Sequence, residues 1–271
     1  MTTRLIDSVL SYKNEEISLK KKTALVTGAS SGIGLATAVY LAQEGMNLIL
    51  VARRERQLLQ LQQELKENFP KIRVDVLAID LVHRSLIVEM TKYKAIDVDV
   101  FINNAGLSLS KDFLTDTHEV DIEEMVETNI LAAFKLSSVI AKNMVKNGSG
   151  HIVHIGSIAG HHPYEGGAVY CATKSALKSF SQAMRQELYD KNVRVSLVSP
   201  GIVKTDFSLV RFKGDAEKAN QVYEGLECLE APDIARVIVQ ILKEPKHVNL
   251  DEVIMLPTVQ APVSNKTKRK S

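Results

Sequence analysis

The stretch TGASSGIG at residues 27–34 constrains this chain more than any other. It follows the apolar run TALVTG and precedes the Ala-rich amphipathic segment GLATAVYLAQEG, so Gly28, Gly32 and Gly34 stand at a strand-to-helix turn. Glycines there let the backbone approach a ligand closely, and the free N–H groups of a helix N-terminus attract anions. The spacing is G-x-x-x-G-x-G rather than G-x-G-x-x-G, so the strand before it and the helix after it carry the meaning. A dinucleotide is the predicted ligand, its pyrophosphate held by the glycines together with Ser30, Ser31 and Ile33.

The alternation of short apolar runs with longer amphipathic stretches continues to the end of the chain. Candidate strands lie at 23–28, 47–52, 73–80, 98–106, 151–157, 193–200 and 252–258. Most are continuous apolar runs, as strands buried on both faces should be. Between them lie helical patterns, the longest starting at Asp121 and stopping at Asn147-Gly148. Repeated strand–helix units predict an α/β class: a doubly wound Rossmann fold, a seven-stranded parallel sheet with helices on both faces. A single domain is expected over 23–260, with an N-terminal extension at 1–22 and a basic disordered tail at 261–271.

Charge and cysteine content narrow the partners. With 34 basic and 32 acidic residues the net charge is only +2, without the footprint of a nucleic-acid binder. Cys171 and Cys228 are far apart and lack metal-ligand spacing, so a reducing compartment fits and no disulfide or zinc site is expected. The start of the chain does not read as a signal peptide, and no apolar run reaches the ~20 residues that span a bilayer. A soluble cytoplasmic protein with no membrane and no nucleic-acid partner is expected. His151, His154, His161 and His162 cluster in sequence, but strand alternation turns neighbours to opposite faces, and no metal site is expected.

The second strand ends in VARRER. Enzymes of this architecture place an acid there for the ribose 2′-hydroxyl of NAD, or an arginine for the 2′-phosphate of NADP. Arg53 stands at that point with Arg54 beside it, and a guanidinium binds phosphate in bidentate fashion. Arginines merely decorating a helix start would face an unfavourable dipole. The cofactor predicted is NADP.

YCATK sets Tyr170 and Lys174 four residues apart, beyond a stretch whose Pro163, Gly166 and Gly167 stop the preceding element. On a helix the two side chains share a face, about 5–6 Å apart at Cβ, so each can act on the other's ionisation.

Taken in order, TGASSGIG, Asp80-Leu81, NNAG at 103–106, Asn129, GS at 156–157, YCATK and PGIVKT at 200–205 resemble the motif set of the short-chain dehydrogenases/reductases. The resemblance covers residues 23–258. It implies that Tyr170 exchanges a proton with the substrate oxygen, that Lys174 lowers the phenol's pKa and binds the nicotinamide ribose, and that Ser157 hydrogen-bonds the substrate. Asn129 would hold a water linking the lysine to solvent. A free tyrosine titrates at about 10, too high for an efficient base at neutral pH, and a nearby cation favours the phenolate. The same carry-over implies that Asp80 and Leu81 border the adenine. Asn104, Ala105 and Gly106 would pass under the cofactor, and Pro200, Gly201, Ile202 and Thr205 would flank the nicotinamide. Cys171 reads as a small helix residue.

The segment after PG, with Lys204, Arg211 and Lys213, occupies the family's mobile substrate region. Arg211 suits a substrate carboxylate best, because its planar fork matches one. PYEGGAVYCATK, FSLVRFKGDAEKANQVYEG and HVNLDEVIMLPT resemble the family's NADP-dependent 3-hydroxy acid dehydrogenases, which act on serine, L-allo-threonine and related acids. That implies reversible oxidation of a 3-hydroxyl by NADP. The alternative is an NADPH-dependent carbonyl reductase of broad scope, taking aldehydes, diketones or 3-oxoacyl substrates. A nucleotide sensor without chemistry is a third reading, opposed by the intact Asn129, Ser157, Tyr170 and Lys174. The family's habit implies a homodimer or homotetramer.

Overall fold

The continuous apolar runs form one parallel sheet, as expected. In the computed structural model, which describes residues 15–83 and 85–261, the first half comprises β1 (Thr23–Thr27), α1 (Gly32–Gln43), β2 (Asn47–Ala52), α2 (Glu55–Asn68), β3 (Val74–Ala78), α3 (Leu86–Lys92) and β4 (Val100–Asn103). Then come α4 (Glu119–Val126), a π-helical segment (Glu127–Ala132), α5 (Ala133–Asn147), β5 (Gly150–Ile155), α6 (Ala168–Leu188) and β6 (Val193–Pro200). The last part holds β7 (Val203–Lys204), α7 (Phe207–Arg211), α8 (Ala216–Gln221), β8 (Leu229–Glu230), α9 (Ala231–Lys243) and β9 (Glu252–Met255).

The seven strands run in the order β3-β2-β1-β4-β5-β6-β9, every neighbour parallel. Strand order reverses between β1 and β4, which opens a crevice beyond their carboxyl ends. Alternate residues of each strand feed two cores. Val26, Leu48, Leu50, Ile102 and Val153 pack under α1, α2 and α9, while Leu25, Ile49, Phe101, Ile152 and Val195 pack under α3, α5 and α6. This is why the strands read as unbroken apolar runs.

Several strands are shorter than expected at their carboxyl ends. Pairing stops at Ala78, Asn103 and Met255, and the residues that follow turn toward the crevice. The long helix expected from Asp121 to Asn147 starts at Glu119 and is interrupted by the π-helical turn, a form concentrated at functional sites. Leu19 is buried in the core and the Ile17 N–H donates to the Lys243 carbonyl, so packing onto the domain begins before residue 23. The remainder of the expected extension and the basic tail beyond residue 261 lie outside the described residues. Among the described residues no helix is long and apolar enough to cross a membrane.

Between β6 and α9 the chain makes an excursion over the crevice. Its two ends are joined by a separate parallel pair, Val203 with Leu229 and Lys204 with Glu230. The short helices α7 and α8 form its lid.

Candidate active site

A cavity of about 380 Å³ fills the crevice, lined along one side by the β1–α1 turn. Gly28 has φ of 66°, a left-handed conformation that favours glycine. A Cβ at Gly34 would collide with the Gly28 carbonyl oxygen and the Asn104 amide, so this glycine serves close helix–strand packing and does not line the cavity. Helix α1 begins without a side-chain cap at Ser31 and has no acid in its first turn. Its leading N–H groups and dipole end therefore face the cavity uncompensated, as an anion site requires.

The Ser31 hydroxyl is engaged elsewhere. Arg54 Nη2 donates to Ser31 Oγ at 2.6 Å and to Ser30 Oγ at 3.0 Å, and its Nε donates to Ser30 Oγ at 3.1 Å. Arg53 lies beside it, 3.6 Å from Glu124 of α4. Both arginines are exposed on the cavity rim, opposite Ser30, Ser31 and Gly32. Two guanidiniums, two hydroxyls and an uncapped helix fit a dinucleotide carrying an extra phosphate. Asp80 and Leu81 line the same end, and an Asp80 carboxylate oxygen accepts from the Val82 N–H.

The far wall is held by a hydroxyl that sequence reading passed over. Thr27 Oγ1, fully buried, donates to the Ile102 carbonyl and accepts from the N–H groups of Asn104 and Ala105, each at 3.0 Å. The Asn104 amide donates back to the Thr27 carbonyl at 2.8 Å. These bonds fix Asn104, Ala105 and Gly106 against the β1 turn, where all three line the cavity. Asn129, in the π-helical turn, is 1% exposed. Its side chain accepts from the Leu107 N–H and donates to the Leu107 carbonyl and to Thr173 Oγ1. Both amide N–H groups and one lone pair of the amide oxygen are thus used by protein partners.

Tyr170 and Lys174 stand on the first turns of α6, and Ser157 follows β5. All three line the cavity, Lys174 and Tyr170 being 5% and 7% exposed. The Ser157 hydroxyl accepts from the Ala159 N–H at 3.1 Å and stands near the Tyr170 phenol, whose ionised form it favours. Lys174 Nζ donates to the Ile155 carbonyl at 2.9 Å and sits 5.9 Å from the centre of the Tyr170 ring.

Burial acts on both members of the expected Tyr170–Lys174 pair. Burial pushes Tyr170 up to about 12, Tyr164 pushes the same way, and the Ser157 hydroxyl and the Arg211 charge oppose it. Burial likewise lowers Lys174 to about 8. Desolvation disfavours whichever form is charged, so it holds the phenol protonated and eases loss of the lysine's proton.

Of the residues expected to flank the nicotinamide, Pro200, Gly201 and Thr205 line the cavity. Ile202 does not: its N–H donates to Gln260 Oε1 and its carbonyl accepts from Leu229, so its backbone anchors the lid. Within the lid, Phe207 and Val210 face the cavity. The Arg211 guanidinium carbon lies 5.1 Å from the Phe207 ring centre and 5.5 Å from that of Tyr170. Its Nη2 donates to Tyr164 Oη at 3.1 Å, while its buried Nε has no partner. Lys213 is instead paired with the buried Asp121 carboxylate at 2.8 Å, and Lys204 is exposed on β7. Cys171 packs with Leu107, Met125 and Ala159. His154 bonds Asn103, His151 bonds Ser196, and His161 pairs with Glu252.

These features define a nicotinamide-type oxidoreductase site, and the chain belongs to the short-chain dehydrogenase/reductase family. The family described as short chain dehydrogenase matches residues 22–215. An NADP-dependent 3-hydroxy acid dehydrogenase of Schizosaccharomyces pombe is 39% identical over 89% of this chain and 95% of its own length. A serine 3-dehydrogenase of Agrobacterium fabrum is 35% identical over 88% of this chain and 95% of its own. The closed form of serine dehydrogenase complexed with NADP+ superimposes with a TM-score of 0.85 at 34% identity, covering 92% of this chain and all of that one.

Proposed function

We propose that this protein is an NADP-dependent dehydrogenase that moves a hydride between NADP(H) and the 3-hydroxyl or 3-keto carbon of small 3-hydroxy acids such as serine or L-allo-threonine. The relatives' activities and the guanidinium pair at the cavity rim support the cofactor. One observation carries the substrate class: the Arg211 guanidinium, which does not itself line the cavity, lies 5.5 Å from the centre of the Tyr170 ring that does, with its buried Nε unpartnered. A buried unsatisfied donor is costly, and a carboxylate placed there would satisfy it with a charge-assisted bond.

The nicotinamide, when bound, supplies the hydride acceptor or donor. The chain's own side chains handle the proton and the orientation. Ser157 Oγ holds the substrate oxygen beside the Tyr170 phenol. In oxidation Tyr170 Oη takes the hydroxyl proton as the hydride leaves the same carbon, and in reduction it returns that proton. Lys174 stands between the Ile155 carbonyl and the cavity, ready to hold ribose hydroxyls. Asn129 keeps the Leu107 backbone in place beneath them. Arg53, Arg54, Ser30 and Ser31 would bind the 2′-phosphate, and Gly28, Gly32 and Ile33 would shape the turn that receives the pyrophosphate. Phe207 and Val210 exclude water from the reacting carbon.

We also read one catalytic domain over 23–260 with an extension and a basic tail, a cytoplasmic setting supported by the two free thiols, and a homodimer or homotetramer. Exposed Val120, Leu131 and Val145 on α4, the π-helical turn and α5 favour association.

The test is a panel measured with both nicotinamide cofactors. Serine, L-allo-threonine and 3-hydroxybutyrate-type acids should give a higher kcat/KM with NADP+ than neutral ketones give with NADPH. A preference for neutral ketones would move the assignment to a carbonyl reductase.

A further inference from the structure

Four charged or titratable side chains face the Tyr170 ring. Lys174 and Cys171 come from its own helix, Tyr164 from the loop before α6, and Arg211 from the lid. The Ser157 hydroxyl stands near the phenol, and Phe207 supplies an apolar wall at 5.6 Å between ring centres. Of the two cations, Lys174 lies over the Tyr170 ring at 5.9 Å while its Nζ donates to the Ile155 carbonyl. Arg211 lies over the rings of both Tyr170 and Phe207, at 5.5 and 5.1 Å, within the roughly 6 Å range of a cation–π contact. Removing the phenolic proton makes the ring richer in electrons, so a cation over its face favours the deprotonated form.

We propose that Arg211 is an activating residue for Tyr170: closure of the lid lays a second positive charge on the catalytic phenol and so couples lid position to proton exchange. The inference rests on the acid–base role proposed above for Tyr170.

Three contacts fix the guanidinium in this position. The Arg211 carbonyl accepts from the Ser110 N–H at 2.8 Å, Tyr164 Oη accepts from its Nη2, and Lys213, two residues on, is tied to Asp121 of α4. Ser208 Oγ donates to Tyr223 Oη at 2.7 Å, which donates to the Thr205 carbonyl, so the lid is also braced internally. Lys174 loses its proton at about 8 in this pocket, whereas a guanidinium group keeps its charge at any pH a protein survives. Under alkaline conditions, where a hydroxyl is most readily oxidised, the lid cation persists.

The experiment titrates Tyr170 directly in the NADP+-saturated full chain. Tyr170 is replaced throughout by difluorotyrosine, whose electron-poor ring brings the midpoint down into the range that the fold and NADP+ survive; phenolate ultraviolet absorbance is followed with pH, and the curve of Tyr170→Phe in the same background is subtracted. Arg211→Gln should raise the Tyr170 midpoint by about one pH unit, and Arg211→Lys should restore at least half of that shift. An unchanged midpoint in Arg211→Gln, or equal shifts for Gln and Lys, would overturn the proposal. No substrate enters the titration, so its failure is distinct from failure of the 3-hydroxy acid reading, which the substrate panel alone decides.

Discussion

The side-chain amide of Asn129 pairs with the backbone of Leu107 as an adjacent strand would, accepting from its N–H and donating to its carbonyl, both at 2.8 Å. The pairing carries the loop beyond β4 across to the π-helical turn, and Gly106 leaves the space it needs. A Cβ at Gly106 would stand 3.1 Å from Asn129 Oδ1 and 3.4 Å from Lys174 Nζ.

Asn129→Ala should therefore act on stability and on catalysis together. Two buried backbone groups lose their partners, which costs about 2–4 kcal/mol. Urea denaturation should show that loss, and kcat should fall because the loop under Lys174 is released. Wild-type urea midpoints would mean that the pairing is replaceable.

Arg54→Ala removes the guanidinium that bridges Ser30 and Ser31. The KM for NADPH should rise by about tenfold or more, as expected for losing a charge-assisted contact to phosphate. The KM for NADH should move much less. Equal changes for the two cofactors would remove Arg54 from the 2′-phosphate site. Arg53→Asp should act in the same sense and add repulsion.

Tyr170→Phe should reduce turnover by about 10²–10⁴-fold while leaving cofactor affinity close to wild type. The pH dependence follows from the same group. With the phenol pushed up to about 12 by burial, its proton stays on through neutral pH, so reduction should be nearly flat there. Oxidation needs the deprotonated phenol, and its kcat/KM should climb about tenfold per pH unit below that midpoint. Steady-state profiles in both directions check this. An oxidation rate that does not change with pH would assign the proton to another group.

His154 predicts an acid weakness. It is fully buried, its Nδ1 accepts from Asn103, its Nε2 has no partner, and burial lowers its pKa from 6.5 to about 3. The unfolded chain takes up a proton below its ordinary value while the folded chain does not. The stabilising preference for the neutral ring is complete above that value and declines as pH falls toward 3. By about pH 5 it should have cost about 2 kcal/mol. His154→Gln should flatten the fall in urea midpoint between about pH 7.5 and about pH 5. The buried His151, lowered in the same way, keeps some of the slope. A variant with the full wild-type slope would exonerate His154.

Much of this architecture was legible in the sequence, for identifiable reasons. The strand at 47–52 read correctly because both faces are buried, which keeps polar residues out of 48–52, and 193–200 reads through because Ser196 and Ser199 are small enough to be buried among its valines. The glycine turn was legible because close packing excludes a side chain at Gly34 whatever the context. Other features left no local trace. The Thr27 lock joins residues 77 and 78 apart, and the Arg211–Tyr164 bond joins residues 47 apart. Periodicity carries no signal for either. The π-helical turn contains neither Gly nor Pro, so the helical pattern runs through it unbroken. Leu19 lies beyond the motif set and only its burial places it in the core. The pairing of Lys213, one of the cations of the substrate segment, left no trace either, because its partner Asp121 is 92 positions away.

The two-residue parallel pair at Val203–Lys204 and Leu229–Glu230 has an evolutionary corollary. It pins both ends of the excursion to the body before any lid residue is reached, so the span between them can lengthen at a cost of only about 0.6 kcal/mol per doubling. Insertions and rewrites there leave the nucleotide cradle and the sheet untouched. Diversification of substrate range within such a lineage should concentrate in this clasped, exchangeable segment.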